Sequence, residues 1–163
     1  MTKQLFLIRH AEAESNNFEV KDIDRMLTPD GEVVASKVGN TLLGIIGKPD
    51  KILASSAVRT RQTAMRIAEQ LDYPEDLVEY KEEFYEASTR ILLREVNDLD
   101  DSHSSVIIVG HNPGIPYFAE NITGEIIGGV SPGSVIQITV ESSWSEVTSN
   151  SVELTKYLTP PNA

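Results

Sequence analysis

The chain has 163 residues, of which 40% are hydrophobic and 24% charged, the proportions of one soluble globular domain able to bury its own core. It contains no cysteine, so neither a disulfide framework nor a thiolate metal site can be built. The formal net charge of −11 argues against nucleic acid as a partner, because such binding rests on Lys and Arg neutralising phosphates. Any phosphate ligand has to be held by a local cluster of positive groups.

In chain order, Gln4-Leu5-Phe6-Leu7-Ile8 is a short apolar run ending in Arg9-His10, which reads as a buried strand of a parallel sheet. Residues 16–26 are polar and aperiodic and read as a loop. Thr28-Pro29 opens a helix as N-cap and first helical residue, and Val34, Val38, Leu42 and Ile45 give it an apolar face before Gly47 and Pro49 stop it. Residues 51–54 are a second strand, turned by Ser55-Ser56 into a helix over 57–71 with Ala64, Ile67, Ala68 and Leu71 on one side. Residues 77–86 are extended or irregular, and Ser88 caps a third helix whose inner face is Leu92, Val96 and Leu99. After a polar loop over 100–104, residues 106–109 are the clearest buried strand. They run into Gly110-His111-Asn112-Pro113-Gly114 and a short helix over 115–122. Residues 135–140 and 152–155 read as hairpin-connected strands. The pattern predicts a three-layer α/β/α sandwich in one domain over 1–163, its central sheet mostly parallel with an antiparallel edge. The residues Met1-Thr2-Lys3-Gln4 have no signal-peptide character, and no apolar run is long enough to span a bilayer. A cytoplasmic protein without membrane contact is therefore expected.

Open parallel sheets bind ligands outside the carboxyl ends of their strands. Those ends carry unusual residues here: Arg9-His10, then Ser55-Ser56 with Arg59 one turn on, then Gly110-His111. A neutral imidazole is a nucleophile toward phosphorus. Guanidinium groups fork onto phosphate oxygens and stay charged at every working pH, and a second histidine can donate to the equatorial oxygens of a transferring phosphoryl group. Each residue alone reads as a core, loop or solvated side chain; their joint placement carries the reading. The arginines supply the positive charge a metal would supply elsewhere, so no metal or cofactor is called for. His103 reads as a solvent-facing loop residue, Arg61 as a surface residue, and Trp144 and Tyr157 as covers for the sheet edge. Asp98, Asp100 and Asp101 lack the spacing of a calcium loop.

Four separated blocks resemble one family. Leu7-Ile8-Arg9-His10-Ala11-Glu12-Ala13 resembles the signature of the histidine phosphatase superfamily, which is shared by cofactor-dependent phosphoglycerate mutases and acid phosphatases. Arg25-Met26-Leu27-Thr28-Pro29-Asp30-Gly31 is similar to its R-x-L-T-x-x-G segment. Ala54-Ser55-Ser56-Ala57-Val58-Arg59-Thr60-Arg61-Gln62-Thr63-Ala64 resembles its second block, and Val109-Gly110-His111-Asn112-Pro113-Gly114 its third. The match is collinear from about residue 4 to residue 140, with Ala11 where the family usually has glycine. The resemblance implies a phosphoglycerate mutase-like fold with His10 as the phosphorylated nucleophile. Arg9, Arg59 and His111 would line the phosphate pocket and Asn16 would add a contact. It implies a general acid at Glu82, with Glu86 the second candidate, and the run of glutamates otherwise reads as a solvated face. Within the superfamily the short chain resembles the bacterial phosphohistidine phosphatase branch. The implied activity is metal-independent phosphatase action through a phosphohistidine intermediate, on protein phosphohistidine or on small phosphate esters. A mutase and a non-catalytic phosphate- or phosphoprotein-binding module are the competing readings. The partner is then a phosphorylated protein or a small phosphate ester, and the sequence carries no signal for oligomeric state.

Overall fold

The computed structural model describes residues 2–161. The first apolar run forms β1 (Lys3–Arg9), whose alternate residues bury on opposite faces: Leu5 and Leu7 on one, Phe6 and Ile8 on the other. The run at 105–110 forms β4 (Ser105–Gly110) and divides in the same way, Val106 and Ile108 against Ile107 and Val109. Burial on both faces is why these two strands read as unbroken apolar runs. With β2 (Lys51–Ser55), β3 (Glu79–Lys81), β5 (Val135–Val140) and β6 (Glu153–Leu158) they make one sheet in the order β3-β2-β4-β1-β5-β6. The first four are mutually parallel, and β5 and β6 are antiparallel to their neighbours.

Helices α1 (Pro29–Ile46) and α2 (Val58–Gln70) cover the face carrying Phe6 and Ile8, chiefly with Val38, Leu42, Ala64 and Ile67. Helices α3 (Thr89–Asn97) and α4 (Gly114–Thr123) cover the other face with Leu92, Val96, Phe118 and Ile122. Each of these larger than alanine contributes roughly 1.5–3 kcal/mol on full burial. Thr28 caps α1, its hydroxyl accepting from the Gly31 N–H at 3.0 Å. Gly31 is also required by packing, because a Cβ there would lie 2.1 Å from the carbonyl oxygen of Glu12.

Several details differ from the sequence-based expectation. The register of α1 turns Ile45 outward and Ile46 inward, so the buried face ends one residue later. The irregular stretch 77–86 contains a three-residue edge strand between two 3-10 turns, Glu75–Leu77 and Glu82–Phe84. Trp144 does not cover the edge: it is fully buried in the α3–α4 face, its indole N–H donating to the carbonyl of His103 at 2.8 Å. That bond draws the His103 loop inward, leaving the residue half-buried rather than solvent-facing. Asp101 accepts from the Trp144 backbone N–H at 2.9 Å and lies 3.6 Å from the Lys3 ammonium, so this acidic loop anchors the same corner. Tyr157, on the edge strand β6, packs half-buried against the α3–α4 cluster. No helix among the described residues is long and apolar enough to cross a membrane.

Candidate active site

Parallel pairing sets the site. Arg9 is in register with Gly110, so the residues that follow, His10 and His111, stand side by side with ring centroids 5.5 Å apart. The chain leaves β1 toward β2 and leaves β4 toward β5, in opposite directions across the sheet, so these neighbouring strand ends form a topological switch point. β2 lies on the far side of β4, and the first turn of α2 after it delivers Arg59. His10, Arg59 and His111 are 6%, 5% and 8% exposed.

His10 is held in one tautomer. Its Nδ1 lies 2.7 Å from the carbonyl oxygen of Ala11. A carbonyl only accepts, so Nδ1 carries the proton and Nε2 keeps the lone pair. The backbone is pinned on both sides, the His10 N–H donating to Gly110 at 3.1 Å and the Ala11 N–H to the Thr63 hydroxyl at 3.1 Å. Burial above all, helped by nearby His111, Arg59 and Arg9 and opposed by the Ala11 bond, pulls the His10 pKa down to about 3.

Arg9 is tethered through one nitrogen and Arg59 through two, and each keeps its Nε unengaged. Arg9 Nη1 donates to the carbonyl of Val130 at 2.8 Å. Arg59 Nη1 donates to the carbonyl of Asp22 at 2.7 Å, and its Nη2 to the Asp22 carboxylate at 3.1 Å. The Nε of each is buried and has no hydrogen-bond partner. The tethers take the end-on edge of the Arg59 guanidinium and leave the side-on edge, Nε–H with Nη2–H, for a bidentate acceptor. Burial and the charges of Arg59 and Arg25 press the Arg9 pKa below its ordinary value. An anion in the pocket relieves that repulsion.

His111 completes the pocket through a directed chain. The Ala57 N–H donates to the Ser55 hydroxyl oxygen at 3.3 Å, and that oxygen lies 2.8 Å from His111 Nε2. The hydroxyl proton has no other acceptor among its contacts, and in the tautomer in which Ser55 donates to Nε2 the imidazole proton stands on Nδ1, which has no protein partner. Among the described residues five buried side-chain polar atoms lack a partner. Three of them, Arg9 Nε, Arg59 Nε and His111 Nδ1, belong to this one cluster, so the unmet hydrogen-bonding capacity is a set of donors around a nucleophilic ring nitrogen. Burial, then Arg59, Arg25 and Arg9 against the opposing pull of Asp22, lowers the His111 pKa to about 4.

Two residues unannounced by sequence pattern organise this pocket. Asp22, in the 3-10 turn Asp22–Asp24, accepts from Arg59, from Arg25 Nε at 2.9 Å and from the Tyr85 hydroxyl. Those bonds, Tyr85 foremost, hold its carboxyl at about 2. Tyr85 also sets its ring edge-on to His111, with centroids 5.5 Å apart. The only hint in the sequence was the i, i+3 spacing of Asp22 and Arg25 inside an otherwise aperiodic loop. Of the other candidates, Asn16 is exposed on the loop between Glu14 and Met26 and makes no hydrogen bond to the pocket. Glu82 is exposed, its carboxylate forming no hydrogen bond or ion pair. Glu86 lines a cavity that also touches Tyr85 and His111. Arg61 is exposed and stacks on Tyr80 at 4.1 Å.

The depressed histidine values give a pH prediction. At pH 5 an ordinary imidazole is only about 3% neutral, whereas His10, with its pKa near 3, is expected to stay almost wholly neutral. A ring-nitrogen NMR titration checks this, and a His10 midpoint near 6.5 would contradict it. The stability consequence follows in sign. Folded values of about 3 and 4 lie below the unfolded 6.5, so the unfolded chain binds more protons in that window. The contribution of both groups is complete above 6.5 and is lost as pH falls toward 4 and then 3. Denaturant midpoints at pH 7 and pH 5 should show the decline.

Comparison with known proteins agrees with this geometry. Residues 5–92, more than half of the chain, match the model of the histidine phosphatase superfamily (branch 1). An uncharacterized chloroplastic protein of Arabidopsis thaliana is 28% identical over 154 residues, covering 90% of this chain and 71% of the relative. An uncharacterized protein of Mycobacterium leprae is 29% identical over 150 residues, covering 86% and 90%. Among solved structures, a protein assigned as phosphohistidine phosphatase SixA from Nakamurella multipartitia superposes with a TM-score of 0.85 at 28% identity, covering 98% of this chain and 97% of its own. A protein histidine phosphatase SixA in complex with tungstate shares the fold with a TM-score of 0.83 at 20% identity, covering 96% of each chain.

Proposed function

The chain belongs to the histidine phosphatase superfamily, and from that premise we propose that it removes phosphate from phosphohistidine on proteins through a phosphorylated His10. The observation that carries the reading is the convergence of three unpartnered buried donors, Arg9 Nε, Arg59 Nε and His111 Nδ1, around the histidine whose Nε2 holds a lone pair. In the first step His10 Nε2 bonds to phosphorus while the bond from phosphorus to the substrate nitrogen breaks. The electron pair of that bond leaves with the substrate imidazole, which takes up a proton. The donors hold the equatorial oxygens, where charge is greatest in phosphoryl transfer. Water then attacks the phosphorus of phospho-His10 and loses a proton to solvent, replacing the solvent proton taken up by the departing imidazole; the P–N bond breaks, and inorganic phosphate and neutral His10 are restored.

Two observations support a protein phosphohistidine substrate. Glu82 stands exposed without a bond to the pocket, which suits a leaving group that departs without strong acid catalysis. Phe18, Val20, Ile23 and Met26 stand exposed on the loop that carries Asp22, an apolar surface beside the pocket of the kind that meets macromolecules. Hydrolysis of small phosphomonoesters is the second reading, favoured by the Glu86 carboxylate in the wall of the cavity that Tyr85 and His111 also line. A panel of a phosphohistidine peptide, sugar phosphates and nucleotides tests the choice. The peptide is expected to show the highest kcat/KM by at least an order of magnitude, and a sugar phosphate or nucleotide at the top would overturn it.

Ser55→Ala tests the donor role given to His111. With the hydroxyl gone, Nε2 loses its partner at 2.8 Å and the ring is free to change tautomer. A fall in kcat of about tenfold is expected, smaller than the 10²–10³ caused by deleting an oxyanion donor outright, with KM little changed. Ring-nitrogen NMR should show His111 losing its Nδ1–H form, and an unaltered tautomer with unaltered kcat would remove Ser55 from the account.

A further inference from the structure

A cavity of about 430 Å³ opens beside the phosphate pocket, with His111 and Tyr85 in its wall. Its other walls come from Phe84 in the 3-10 turn Glu82–Phe84 and from the first turns of α3 and α4, including Leu92, Ile115 and Tyr117. Phe84, Leu92 and Ile115 are buried at 2%, 2% and 1% exposure, so the floor is fixed by the core, while Tyr117 at 61% forms a rim. Its volume lies in the range of sites that enclose small organic groups. The lining includes no Lys or Arg, and its one ionisable carboxylate is Glu86.

We infer that this cavity receives the group attached to the transferred phosphate, and that it selects a flat aromatic group that is uncharged or cationic. The inference rests on the phosphatase reading and adds the substrate class. Continuity supplies the occupant: a phosphate held by His111 Nδ1 has its substituent at a wall the cavity shares. Charge supplies the selection. A second carboxylate or phosphate on the substrate would enter a space with no cationic side chain in its lining and with Glu86 at its side, in a chain of net charge −11. An aromatic ring meets Phe84, Leu92 and Ile115, and Tyr117 and Tyr85 offer ring edges and faces. The imidazole of phosphohistidine fits this description, as do aryl phosphates, whereas phosphoglycerate, with its carboxylate beside the phosphate, does not.

Phosphonates that cannot be hydrolysed test the cavity separately from the chemistry. Calorimetric titration of the whole protein with methylphosphonate, benzylphosphonate and phosphonoacetate is expected to place benzylphosphonate roughly tenfold or more tighter than methylphosphonate, the scale of burying one ring's apolar surface. Phosphonoacetate should bind no tighter than methylphosphonate. Tyr117→Glu, at an exposed rim position, should shrink the benzyl-to-methyl ratio several-fold, and the milder Tyr117→Ala should shrink it less. Equal affinity for the methyl and benzyl compounds, or a preference for phosphonoacetate, would overturn the inference. Turnover of an aryl phosphate is measured in parallel. His10-dependent turnover with no benzyl preference removes the cavity assignment and leaves the phosphatase. A benzyl preference with no turnover removes the phosphatase reading and leaves an aromatic-phosphate binding site.

Discussion

His10→Ala is expected to reduce hydrolysis of an aryl phosphate to the solvent background and to abolish any acid-labile phosphoenzyme trapped by rapid quenching with radiolabelled substrate. The expectation follows from tautomer and environment together. The Ala11 carbonyl fixes the proton on Nδ1, and burial among positive groups keeps the ring neutral far below pH 7, so Nε2 is an available nucleophile at every ordinary working pH. The other nucleophilic ring in the pocket, His111, has its Nε2 engaged by Ser55 at 2.8 Å and cannot substitute. Substantial residual turnover, or a trapped phosphoenzyme in the variant, would mean that phosphate is transferred to another group or directly to water.

Arg59→Ala is the second large effect. The guanidinium is 5% exposed and offers its side-on edge to the pocket, so it acts in a nearly dry site where a charge-assisted donor is worth most. Losing it should cost about 3–4 kcal/mol of transition-state stabilisation, or roughly 10²–10³ in kcat/KM. The same change removes two of the bonds that hold Asp22, leaving Tyr85 and Arg25 to hold it. The thermal midpoint should therefore be recorded beside the kinetics. A loss below tenfold in a variant with an unchanged midpoint would place Arg59 outside the phosphate contact.

Much of this was legible because parallel α/β chains write their function at fixed places. The apolar runs at 4–8 and 106–109 read as central strands, and the residues just past them, Arg9-His10 and Gly110-His111, are thereby placed together at the carboxyl ends of those strands. Thr28-Pro29 and Ser88 marked helix starts through capping chemistry that depends on neighbours only. The illegible parts depend on contacts between distant segments. Asp22 sits in a loop with no period, and its role appears only when the fold brings Arg59 to within 3.1 Å across 37 residues. Trp144 read as an edge cover because its burial is decided by the loop carrying His103. β3, at three residues, is too short to show alternation. The family resemblance favours Glu82 as acid, yet a 3-10 turn points successive residues in different directions, and its third residue, Phe84, is the one that goes into the core.

The two-edged use of the arginines has a consequence for what evolution or design can place there. In each, one nitrogen is anchored to a main-chain carbonyl, Val130 for Arg9 and Asp22 for Arg59, while Nε remains unengaged. A planar guanidinium divides this labour within a single side chain, one side fastening it and the other reading the ligand. A lysine has a single ammonium on a flexible stem, and at either position it can fasten or it can read. On the function proposed above, conserving the charge at 9 or 59 is therefore insufficient to conserve the site, because the plane is what lets one side chain do both.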